Sequence, residues 1–119
     1  KASSGGLMKY NLFVYGTLKK GFHNHRLLKG AKHLYDGWQL GTLLDLGAFP
    51  GMIPGNDRVY GEYYLITDEH LPALDRLEGH PDFYIRTEVG HDCDEGPFQI
   101  YIYNRPTEGL PVILSGKWE

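Results

Sequence analysis

The chain has 119 residues, of which 41% are hydrophobic and 23% charged, with a formal net charge of −3; this is the profile of one globular domain, not of a disordered or fibrous chain. The acidic balance argues against a nucleic-acid partner, which calls for a basic face, and no apolar run reaches the roughly 20 residues that span a bilayer. The 16 glycines, 7 prolines and 9 tyrosines favour strands joined by tight turns over a helical bundle.

Residues 1–7, ahead of Met8, read as an expression remnant or a disordered N-terminus, which leaves residues 8–119 as the single expected domain. No apolar segment of secretory type opens the chain. Residues 10–16 then form a first strand that stops on Tyr15-Gly16-Thr17-Leu18. A glycine placed after a strand makes either a plain turn or a loop whose backbone N–H groups converge on an anion. Lys19, Lys20, Arg26 and Lys29 are the only local gathering of cations and read as a solvated face. Residues 24–30 predict a short helix, capped by Asn24 and stopped by Gly30. Residues 31–45 alternate apolar and small side chains around Gly37 and Gly41, as bent or bulged strands do. Residues 47–56, GAFPGMIPGN, read as a loop by composition.

A tyrosine-rich strand follows over residues 59–66. Residues 68–79 carry the one clear amphipathic helix, with Thr67 or Asp68 as cap, Pro72 in the first turn and Gly79 near the end. Two more strands are expected at residues 84–89 and 98–104. In the second, Phe98, Ile100 and Ile102 face one way while Gln99, Tyr101 and Tyr103 face the other. The tail is expected to pack back through Val112, Ile113 and Leu114. Strand, short helix, several strands, helix and strands do not make a regular βαβ repeat. The order predicts an α+β domain with a curled, barrel-like mixed sheet and flanking short helices.

The helix carries an anomaly. With Leu71 at the origin, Leu74 falls near about 300° and Leu77 near about 240°, while Glu78 falls near about 340°, on the apolar stripe. Arg76 lies on the solvent side. An inward carboxylate is costly unless paired, hydrogen-bonded or protonated. Burial raises its pKa, which suits a general base or acid near neutral pH. Alternatively, Glu78 ends the helix in a wet position or pairs with Arg86.

Other chemistries have less support. His23 and His25 would share one face of a strand but lack further ligands for a metal. Neither a Gly-x-Ser-x-Gly elbow nor a phosphate-binding loop of the Gly-x-x-x-x-Gly-Lys type is present. The single cysteine, Cys93, excludes an internal disulfide and predicts a reducing, cytoplasmic setting. Its acidic neighbours would raise the thiol pKa, the wrong direction for a nucleophile.

FVYGTLKKG, NHRLL, LLDLGAFPGMIPG, VYGEYYLIT, LDRLEGHPDFYIRTEV and LSGKW together resemble the gamma-glutamylcyclotransferase-like family, in particular its gamma-glutamylamine cyclotransferase and AIG2-like branch. The resemblance covers the chain after Met8. It implies a small mixed β-barrel and a cofactor-free reaction in which a γ-glutamyl compound cyclises to 5-oxoproline and releases an amine or amino acid. It places the catalytic glutamate on Glu78 and the substrate cradle on Tyr15, Gly16, Thr17 and Leu18. Tyr15, Tyr84 and Tyr103 are candidate pocket walls, with core packing as the other role open to each. A non-catalytic binder of an amino-acid-like ligand on the same fold is the rival expectation, and an enzyme of a biosynthetic pathway is a third.

Overall fold

A computed structural model describes residues 8–90 and 97–119; residues 1–7 and the acidic stretch that holds Cys93 lie outside them. The described residues form strands β1 (Lys9–Val14), β2 (Lys32–Asp45) and β3 (Pro50–Thr67), helix α1 (Leu71–Glu78), and strands β4 (Tyr84–Val89) and β5 (Phe98–Tyr103), with a 3-10 helix at His23–Leu28. The sheet order is β2-β3-β1-β5-β4. Only β1 and β5 run parallel; the other neighbours are antiparallel. An α+β domain is therefore correct, but the barrel is not. Among the described residues β2 and β4 remain edges, and no pairing joins them. The sheet is open.

Both faces of that sheet are covered, which follows from the alternation along β1 and β5. Leu12, Val14, Tyr101 and Tyr103 join one core with Leu74 of α1 and Leu28 of the 3-10 helix. Phe13, Tyr15, Phe98, Ile100 and Ile102 join a second core with Leu43, Met52 and Val59 from the long hairpin. The expected division of β5 into two faces is present.

The segment expected as a loop at residues 47–56 is the main misreading of secondary structure. Residues 50–53 pair with residues 42–45, so only the stretch between Asp45 and Pro50 turns. Pro50 is tolerated as the first residue of its strand, where a missing N–H costs least. Gly51 is needed for contact: a Cβ there would lie 2.9 Å from the Tyr103 side chain. Glycine and proline mark close approach here, not irregularity. Lys32–Asp45 make one strand with register shifts at His33/Tyr35 and Gly41/Thr42; the second matches the bulge expected at Gly41, while Gly37 stays in register with Gly61.

Three end assignments also change. Asn24 does not cap the 3-10 helix, whose N-cap is Phe22. Asp68 does not cap α1; its carboxylate accepts from the Met8 N–H and the Tyr10 hydroxyl, and the helix starts only after His70. In the tail, Ile113 packs on the second core, and its N–H donates to the Leu43 carbonyl. Val112 and Leu114 stay 45% and 91% exposed, so they do not pack as expected.

Candidate active site

Three segments meet at one cavity of about 510 Å³: the loop after β1, the C-terminal end of α1, and the turn leading into β3. Tyr15, Gly16, Thr17, Leu18, Glu78 and Tyr84 all line it. Tyr103 does not; its ring packs edge-on to Phe83 and Tyr84 behind the wall, because β5 alternation turns it toward those rings.

Glu78 is the last residue of α1, and the turn that follows holds it in place. Gly79 adopts φ 64°, ψ 36°; its N–H donates to the Arg76 carbonyl, and the His80 N–H reaches the Asp75 carbonyl. This is the two-bond helix stop that favours a left-handed glycine. Glu78 keeps some exposed surface while its carboxylate is largely enclosed, and burial raises its pKa to about 7. The carboxylate has no hydrogen-bond or ion-pair partner among the described residues. Arg76 is exposed, as the helical projection predicts.

Arg86, the partner considered for Glu78, is taken by Asp75. Its guanidinium donates to both carboxylate oxygens at 3.0 and 3.2 Å, and the Tyr101 hydroxyl adds a third bond of 2.6 Å. Burial pushes the Asp75 pKa up, but the bonds from Arg86 and Tyr101 outweigh it and hold the carboxyl below its ordinary value. One helix thus carries two carboxylates in opposite states. Asp75 is neutralised by an arginine, and Glu78 is left for the cavity.

The phenols are committed as well. Tyr15 donates to the Tyr101 carbonyl at 2.7 Å and accepts from the Met52 N–H at 3.1 Å, which ties the loop to β5 and β3. Tyr84 donates to the Pro50 carbonyl at 2.5 Å. Burial pushes both phenol pKa values up, and nearby charges, Glu78 among them, add to the shift. They serve as walls and struts, with no proton free for a ligand.

The loop itself is braced from outside. Asn24 Nδ2 donates to Thr17 Oγ1 at 2.9 Å, and the His25 ring meets the Leu18 carbonyl at 2.9 Å. His23 and His25 both sit on the 3-10 helix, where His23 and Asn24 line the cavity. Sequence spacing carried no signal for the Asn24–Thr17 bond. The N–H groups of Gly16, Thr17 and Leu18 find no acceptor among the described residues, while the Gly16 carbonyl accepts from Lys19. Gly16 has no room for a side chain: a Cβ would stand 2.8 Å from Pro50 Cγ. Gly16→Ala is expected to lower stability by about 1–3 kcal/mol through this overpacking, measured by denaturant unfolding. An unchanged midpoint would mean that the loop yields freely.

Among the described residues no three His, Cys, Asp or Glu side chains gather as a metal site requires, and no helix is long and apolar enough to cross a membrane.

On this α+β fold an unpaired acid and an unsatisfied backbone loop line one cavity, and comparison with known proteins identifies the family. Residues 12–119 match the family model for gamma-glutamyl cyclotransferase, AIG2-like proteins. A Vibrio cholerae protein carrying the family's name is 39% identical over 113 residues, spanning 93% of this chain and 96% of that one. A Niallia circulans protein named gamma-L-glutamyl-butirosin B gamma-glutamyl cyclotransferase is 40% identical over 80 residues, 66% of this chain and 51% of that one. The solution structure of Escherichia coli YtfP superposes with a TM-score of 0.72 at 37% identity, covering 91% of this chain and 95% of that one. The mouse AIG2-like protein superposes with a TM-score of 0.74 at 25% identity, over 93% and 88% of the two chains. The chain belongs to the gamma-glutamyl cyclotransferase, AIG2-like family.

Proposed function

We propose that this protein cyclises a γ-glutamyl amine or γ-glutamyl amino acid to 5-oxoproline and releases the amine, with Glu78 as base and then acid. The observation that carries the reading is the unpaired Glu78 carboxylate, with its pKa raised to about 7, in one cavity with the free N–H groups of Gly16, Thr17 and Leu18.

The substrate supplies its own nucleophile. Its α-nitrogen attacks the γ-carbonyl carbon, closing a five-membered ring while Glu78 takes the nitrogen's proton. The carbonyl oxygen gains negative charge, and the bond to the leaving nitrogen breaks as Glu78 returns the proton there. Intramolecular attack gains much of its rate from positioning, so the protein's own groups suffice in this scheme. A carboxyl group with a pKa near neutrality does both proton transfers with little penalty in either direction. The loop N–H groups suit the substrate's carboxylate or the developing oxyanion. A reducing cytoplasm, expected from the single cysteine, is part of the same proposal.

The test is incubation with a panel of γ-glutamyl amines and amino acids, assayed for 5-oxoproline. Product from at least one member is expected. Binding without product from any member would replace the enzyme with a ligand-binding protein of the same fold. Where turnover occurs, kcat/KM should fall about tenfold per pH unit below about 7, since only ionised Glu78 accepts the proton. A limb centred near the ordinary glutamate value would mean that burial does not raise the pKa of the catalytic carboxylate.

A further inference from the structure

The cavity mixes polar and apolar lining: the loop after β1, Thr17, His23 and Asn24 share it with Phe49, Pro50, Leu77 and Phe83, and among the described residues no lysine or arginine lines it. Phe49 and Leu77 remain 36% and 40% exposed although each lines this cavity. They come from separate elements. Phe49 comes from the turn before β3, where its carbonyl accepts from the Leu46 N–H. Leu77 comes from α1 beside Glu78. Phe83 comes from the segment after α1, its N–H donating to the Gly79 carbonyl. The Phe49 and Phe83 rings meet edge-on, with centroids 5.9 Å apart at 72°. Apolar side chains that converge from three elements and remain uncovered mark a surface built for an apolar ligand group.

We infer that Phe49, Leu77 and Phe83 select the leaving group, and that the preferred substrate is the γ-glutamyl derivative of an uncharged apolar amine. This rests on the cyclotransferase reading above. The loop N–H groups supply one anion cradle, which the glutamyl carboxylate or the oxyanion occupies. A second carboxylate on the leaving group would lie against phenylalanine and leucine with no lysine or arginine to meet it, and an ionised group without a partner binds poorly in such surroundings. A second ammonium meets the same apolar wall. An aromatic or aliphatic chain covers Phe49 and Leu77 and gains from their burial.

Three compounds with one glutamyl head separate the possibilities: the γ-glutamyl amides of 2-phenylethylamine, of L-phenylalanine, and of 1,5-diaminopentane. The phenylethyl amide should exceed each of the others in kcat/KM by at least about tenfold. Phe49→Ser should erase most of that advantage through KM, and Phe49→Leu should restore part of it. Equal or reversed preference with 5-oxoproline still formed overturns the inference and leaves the cyclotransferase reading standing. If none of the three yields 5-oxoproline while another panel member does, the inference is overturned; if no member of the panel yields it, the cyclotransferase reading fails, and calorimetric titration of the same three compounds decides the ligand class. Tighter binding of the phenylethyl amide then upholds it, and equal or weaker binding overturns it.

Discussion

Glu78→Gln is expected to lower turnover of any γ-glutamyl substrate by at least about 10²–10⁴-fold while raising the stability of the folded protein at alkaline pH. The two effects share one cause. Burial lifts the carboxyl pKa from its ordinary 4.5 to about 7, a gap equivalent to about 3 kcal/mol. Since the folded state holds this proton more tightly than the unfolded chain, the penalty is absent below pH about 4.5. It grows as pH rises and is complete above about 7. A neutral glutamine of the same shape removes it. Urea unfolding at pH 8 should therefore show the variant about 1–3 kcal/mol more stable than the native protein, with the difference vanishing near pH 4.5. Undiminished 5-oxoproline formation in the variant would end the mechanism. A loss of stability at pH 8 would instead mean that the carboxylate makes a favourable contact.

Asp75→Asn should act in the opposite direction. The substitution sets an amide nitrogen against donors from Arg86 and Tyr101, three hydrogen bonds that now converge on one carboxylate. Asp75 and Arg86 side chains are 25% and 24% exposed, so solvent softens the loss. About 2–3 kcal/mol is expected, at the low end for breaking an enclosed ion pair, or roughly 10 °C in Tm for a chain of this size. Because the Asp75 pKa is depressed, this stabilisation is present above the unfolded value, near about 3.9, and is lost as pH falls through the lower folded value. Thermal scans at pH 7 and in strong acid test both parts. A Tm within about 2 °C of the native one at pH 7 would show that the triad is solvated rather than structural.

These two residues also show what a linear reading reaches and where it stops. Helical periodicity alone placed Glu78 on the apolar stripe and Arg76 outside, because one short helix has one buried face. The sequence left Arg86 open as a partner for Glu78. The choice of Asp75 depends on where β4 crosses α1, which no local pattern encodes. Likewise, the glycine after β1 was visible as a break in a strand, but the bracing of the next residue, Thr17, by Asn24 depends on how the 3-10 helix folds back over it. The first half of β3 was hidden for another reason: its prolines and glycines signal turns locally, while pairing with β2 overrides that signal. Sheet closure was beyond reach because it depends on whether the two edge strands meet, and alternation is the same in an open or a closed sheet.

The position of Glu78 at the end of its helix has an electrostatic consequence. Aligned peptide dipoles leave the C-terminal turn of a helix partly negative, a place that suits cations and disfavours an added anion. A carboxylate at the opposite terminus would be stabilised in its ionised form; it would accept a proton reluctantly and rarely hold it long enough to deliver it elsewhere. At the terminus it occupies, the backbone's own field works against ionisation, in the same direction as the surrounding apolar side chains. The polarity of one short helix thereby helps make Glu78 a carrier of protons rather than a fixed negative charge.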